Sequence, residues 1–274
     1  NFRGDRAQQI CRAFIDDDFD AFDRVRRPSV FFASMIQYDG DLNLPPHYLV
    51  SPETVQGTVS EYLANSGITQ FACAETQKYG HVTYFWNGNR SGKFSAPLET
   101  YLEVASDAVP FEQRPWMKSA ETADAIVEAI ESGQYRFIRT NLAGGDMVGH
   151  TGDIQAAIIA IEAVDLALGR IMIACRAVGA TLVVTADHGN ADDMVERDAT
   201  GTAQTSEDGQ PRWRTSHSLN PVPLYILAPE GSRLSLRHGL NQAGLANVAA
   251  TLVELLGFEA PQDFEPSLVD LTAK

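Results

Sequence analysis

Apolar positions along the chain recur at two spacings, and the two alternate. Ala7, Ile10, Cys11 and Phe14 fall three and four apart, which predicts a helix over 5–14. Val30 to Ile36 is a continuous β-prone run and predicts a strand, with Tyr38, Asp39 and Gly40 following as a turn. Pro45 and Pro46 open a stiff, irregular stretch that ends at Ser51-Pro52, and a domain boundary is expected there.

Beyond that point a helix is predicted over 53–65, with Ser51 as its cap, Pro52 at its first position and Gly67 past its end. Strands are predicted over 68–72, 135–139, 181–185 and 224–228, and helices over 120–130, 154–178 and 245–256. In the long helix, Ile158, Ile161, Val164 and Leu168 form the stripe expected to be buried. Residues 198–215 are polar, without an apolar period, and read as a loop. Strands alternating with helices predict an α/β fold, a largely parallel sheet with flanking helices, preceded by a partial second domain.

The chain's 274 residues suit one large domain, or one domain with part of another. A net charge of −15 argues against nucleic acid as a partner, because phosphate-backbone binders are basic. No apolar run approaches the roughly 20 residues of a membrane span, so no membrane partner is expected. No signal peptide is expected. Cys11, Cys73 and Cys175 are far apart and odd in number, which points away from a disulfide framework and toward a cytoplasmic protein. The opening Asn1-Phe2-Arg3, without an initiator methionine, reads as that of a fragment or trimmed product.

Candidate chemistry concentrates in three segments: Gly145 to Gly152, Thr185 to Asn190 and Thr215 to Pro221. Two of them closely follow predicted strands, where ligands gather in open α/β sheets. Together they offer Asp146, His150, Asp187, His188 and His217, and carboxylate oxygen with imidazole nitrogen suits Zn, Mn, Fe or Co. Five such residues exceed what one ion needs and would serve a pair of ions in phosphoryl transfer. His47, His81 and His238 lack comparable company and read as structural or solvent-facing. Arg3 and Arg6, three apart near a helix start, can share a face, and Lys78 follows a predicted strand; these cations suit a phosphate or carboxylate.

Five segments in order carry a resemblance. The opening NFRGDR, the stretch ETQKYGHVTYFWNG from Glu75, and DMVGHTG, TADHGNA and HSLNPVP are similar to segments of cofactor-independent phosphoglycerate mutases. The resemblance implies an alkaline-phosphatase-like domain with a transferase domain inserted into it. Residues 1–52 would then be the tail of the transferase domain, and 53–274 the second portion of the phosphatase-like metal-binding domain. It implies that Asp146, His150 and His217 ligate one manganese ion and that Asp187 and His188 belong to a second site. Arg3, Arg6 and Lys78 fall at substrate-binding positions. The implied reaction interconverts 3-phosphoglycerate and 2-phosphoglycerate through a phosphoserine, in an enzyme expected to be a monomer. The family's serine motif, of the form NSEVGH, has no match here, nor does the amino-terminal aspartate that completes the second metal site. Alternatives are a phosphatase or phosphopentomutase of the same superfamily, and an inactive metal-binding fragment.

Overall fold

The computed structural model describes residues 4–38, 43–51, 55–90 and 92–271, the side chains of 4–6 aside. Helix α1 (Gly4–Ile15) forms where the first apolar period lies. Ala7 and Cys11 are buried with Tyr38 and Leu44, while Phe14 stays near the surface and stacks on Phe32. The run from Val30 yields a strand only at its end, β1 (Ser34–Ile36), paired in parallel with β2 (Tyr48–Val50). Of the expected turn, Tyr38 is described, whereas Asp39 and Gly40 lie outside the described residues.

The helix expected over 53–65 is shorter than its pattern. It is α2 (Val59–Asn65), and its cap is Thr58, whose hydroxyl accepts from the Glu61 amide at 3.4 Å. Gly57 stands at φ 69°, a left-handed turn that separates the helix from what precedes it. Ser51 is therefore not its cap, and Pro52 lies outside the described residues. Gly67, at φ 73°, ends it as expected.

Strand β3 (Gln70–Glu75) is buried at every position. Phe71 and Cys73 face one helical layer, and Ala72 and Ala74 the other, as the two-residue repeat of a strand requires. Two elements follow that the pattern did not predict. Helix α3 (Thr76–Val82) leaves the end of β3 directly, and β4 (Glu99–Val104) returns beside it. Helix α4 (Ser119–Glu131) then leads to β5 (Phe137–Asn141). The sheet order is β4-β3-β5, parallel throughout.

A short helix, α5 (Gly144–Gly149), precedes α6 (Ile154–Val178). The long helix has its predicted bounds because Asp153 caps it, accepting from the Gln155 and Ala156 amides, and Gly179 ends it at φ 71°. Its buried face differs from the expected stripe. Ile158 and Ile161 are each 45% exposed, and Val164 and Leu168 are half-buried. The inward face is instead Ala156, Ala157, Ala160, Ala167, Ile171, Ala174 and Cys175. Small residues let α6 lie close to α4 and α5, and closeness decides which face is covered.

Strand β6 (Leu182–Thr185) pairs antiparallel with β7 (Leu224–Leu227), so the parallel expectation holds for β1–β5 and not here. The expected loop 198–215 is instead an antiparallel ribbon, bridged at Val195–Trp213, Arg197–Ala203 and Thr205–Pro211. Its ladder is made by backbone groups, which leave no apolar period to read. Strand β8 (Leu234–Leu236) pairs antiparallel with β9 (Val269–Leu271). Between them a 3₁₀ turn, Leu245–Asn247, runs into α7 (Val248–Leu255), which packs with α2 around Leu63 and Val253. Cys11, Cys73 and Cys175 are free and buried. No helix of the described residues is long and apolar enough to cross a membrane.

Candidate metal centre

Three separate pieces of backbone meet at Asp146. Gly144 and Gly145 allow α5 to lie against α6, since a Cβ on them would stand 3.4 Å from Ala160 Cβ and 3.2 Å from Ile161 Cδ1. Asp146 on α5 and His150, which caps the end of that helix, are four apart and share a face. The loop after β6 carries Asp187 and His188, and the loop before β7 carries His217. These two loops are pinned together where the Ser218 amide donates to the Gly189 carbonyl at 2.9 Å. Asp192 fixes the same junction, accepting from Ser218 Oγ at 2.9 Å and Asn220 Nδ2 at 2.7 Å.

Asp146 Oδ1, His150 Nε2 and His217 Nε2 form a triangle with all three sides at 3.1 Å. Donor atoms about 2.1 Å from a shared ion stand about 3.0 Å apart in octahedral and about 3.4 Å apart in tetrahedral geometry. The triangle lies between those values. His150 Nδ1 is 2.6 Å from the Thr215 carbonyl, which can only accept, so Nδ1 carries the proton. In the neutral ring Nε2 then presents a lone pair to the triangle. One carboxylate with two imidazoles is a donor set for a divalent transition metal.

His188 adjoins this group without joining it as closely. Its ring stacks on His217, centroids 3.6 Å apart, and its Nε2 is 4.0 Å from Asp146 Oδ1 and 3.6 Å from Asp187 Oδ2. Burial pushes the His217 ring's pKa down, helped by the neighbouring His188 and His150 rings against the pull of Asp146. The neutral, metal-ready form is favoured.

Lys78, on α3, is buried and paired with the other oxygen of Asp146, Oδ2. Burial raises the Asp146 pKa. The Lys78 ammonium, the Asn190 amide and the His150 ring outweigh it and hold the carboxyl at about 2. The cation expected to meet substrate and the carboxylate expected to meet metal are thus direct neighbours. Arg3 lies outside the described residues, as does the side chain of Arg6. The helix that carries Arg6 is nevertheless tied to the region after α3. The Tyr38 carbonyl accepts from Gln8 Nε2 at 3.1 Å and from Tyr84 Oη at 3.0 Å. His47 stacks on Phe31, and His81 meets Phe85 edge-on.

Two contributors were not singled out from sequence. Asn190 holds Asp146 from the side, and Asp192 locks the two histidine loops together. Asn190 stands in the TADHGNA segment, and its amide among candidate ligands is the available signal. Nothing in the spacing of Asp192 distinguishes it from a surface aspartate.

The profile of the metalloenzyme superfamily matches residues 22–260, and that of the BPG-independent PGAM N-terminus matches residues 1–40. A Trypanosoma brucei brucei 2,3-bisphosphoglycerate-independent phosphoglycerate mutase is 53% identical over 99% of this chain and 49% of its own length. The Ricinus communis protein of the same name is 48% identical over 98% of this chain and 49% of its own. A crystal structure of Leishmania mexicana phosphoglycerate mutase, determined at low cobalt concentration, superposes with a TM-score of 0.95 at 51% identity. It covers 99% of this chain and 50% of that one. The chain spans about half the length of the curated relatives it matches.

Proposed function

We propose that this chain, which belongs to the metalloenzyme superfamily, supplies the metal-binding part of an enzyme interconverting 3-phosphoglycerate and 2-phosphoglycerate. The observation that carries the reading is the 3.1 Å triangle of Asp146, His150 and His217. Its relatives bear the mutase's name, which supports the choice of substrate.

In this reading Asp146, His150 and His217 hold one divalent ion, and Asp187 and His188 contribute to a second, with Mn2+ as the metal. Such a centre supplies charge neutralisation at phosphoryl oxygens and activation of an attacking oxygen. Lys78 keeps a buried positive charge beside the centre, placed to meet a phosphoryl group as a point charge. Arg3 and Arg6 offer forked donors suited to phosphate or carboxylate. They lie before the boundary proposed near residue 52, and Lys78 after it, so phosphoglycerate would bridge the tail of the transferase domain (1–52) and the phosphatase-like portion (53–274). A ligand gripping both sides favours their closed arrangement by its differential affinity for it. The phosphoryl group passes through a serine carried outside these 274 residues.

The test uses the complete protein, assayed for mutase turnover and for bound Mn2+. Asp146→Asn and His150→Ala are expected to lose metal and turnover together. Arg6→Ala is expected to lower turnover at normal metal content. Full metal content in both metal-site variants would overturn the reading.

A further inference from the structure

Asn190 belongs to the loop of Asp187 and His188, yet its side chain is spent on α5. The residue is 5% exposed. Its amide nitrogen donates to the Asp146 carbonyl at 3.1 Å and to Asp146 Oδ1 at 2.9 Å. An amide nitrogen has two protons, so both go to one residue. Among the described residues Asn190 Oδ1 is buried without a hydrogen-bond partner, and it rests on Gly149, where a Cβ would overlap it. A buried acceptor left unsatisfied costs stability. The amide is held in this orientation by its donors alone.

We infer that Asn190 is a positioning residue for the metal centre, orienting Asp146 so that Oδ1 completes the triangle with His150 and His217. The inference rests on the metal-centre reading above. The geometry leaves Asp146 little choice: Lys78 holds Oδ2, Asn190 holds Oδ1, and the same Asn190 amide grips the backbone behind them. A carboxylate free to rotate would have to be ordered when an ion binds. One already fixed presents its lone pair without that entropic loss.

The experiment is Mn2+ binding to the metal-stripped complete protein, by calorimetry, with thermal unfolding of the same stripped samples. Asn190→Ala should weaken the tightest Mn2+ site by about 10–100-fold, the range typical of residues that orient a metal ligand. Asn190→Leu, which keeps the branched four-atom side chain but has no donor, should show the same loss and guards against a collapsed Ala variant. Leu63→Ala, in the remote core between α2 and α7, should lower the unfolding temperature and leave Mn2+ affinity unchanged. Wild-type affinity in Asn190→Ala or Asn190→Leu overturns the assignment. So does a loss in both no larger than that of Leu63→Ala. A wild-type protein that takes up no Mn2+ overturns the metal-centre reading, and the Asn190 assignment with it.

Discussion

Arg139 Nε donates to the Val82 carbonyl at 2.8 Å, so a buried cation closes the carboxyl end of the helix that carries Lys78. Carbonyls at a helix end lack partners inside the helix, and a positive charge there complements the dipole. The guanidinium lies between the rings of Trp86 and Tyr101, 5.3 and 5.4 Å from their centroids. Arg139→Met should therefore cost about 2–4 kcal/mol of stability, measured by denaturant unfolding of the complete protein. Arg139→Lys should recover only part of it, because an ammonium cannot fork between Val82 and Gln70. A neutral effect of Arg139→Met would show that the helix end needs no counter-charge.

The neighbouring Tyr101 gives an alkaline signature. Burial pushes its phenol up to about 12; the bond it donates to Glu99 adds to the shift, against the Asn87 amide and the Arg139 charge. A folded pKa above the unfolded value means that stability is whole below about pH 10 and falls as pH rises through about 12. The loss over that window should amount to roughly 2 kcal/mol. Tyr101→Phe should flatten the fall, and phenolate absorbance should show the last tyrosine to ionise missing from the variant. An unchanged absorbance titration would refute this.

At Gly189 the constraint is space. A Cβ would overlap Ser218 Oγ and crowd Asp192, prising apart the loops that bear His188 and His217. Gly189→Ala should weaken Mn2+ binding about 10-fold or more, read by calorimetry on stripped protein. Wild-type binding would mean the loops tolerate separation.

The 274 residues alone, at verified mass and with Mn2+ added, should show no conversion of 3-phosphoglycerate to 2-phosphoglycerate. Transfer through a covalent intermediate requires a nucleophile, and no segment here resembles the serine motif. Turnover at the rate of the complete protein would refute the placement of that serine elsewhere.

Much of this was legible where one local rule acts alone. Helix α6 could be bounded from Asp153 and Gly179 because cap and stop are local features. Asp146, His150 and His217 could be grouped because their motifs carry the resemblance. What escaped depends on partners distant in sequence. Helix α5 is too short to show a period, though it carries Asp146. Strand β4 carries Glu99 and Glu103 within its six residues, so no clean apolar pattern announces it. Glu99 is in fact buried, satisfied by Tyr101 and Ser95. The stripe expected on α6 fails because apolar size does not decide burial there; close helix packing selects alanine.

That inversion on α6 matters for how the polypeptide behaves once released from the ribosome. Ile158, Ile159, Leu166 and Ile173 stay 44–72% exposed on the side away from the alanines. Bulky aliphatic groups gathered on a wet surface bind one another and the hydrophobic clefts of holdase chaperones. Produced alone, this stretch of protein should bind apolar dyes on that flank even when correctly folded.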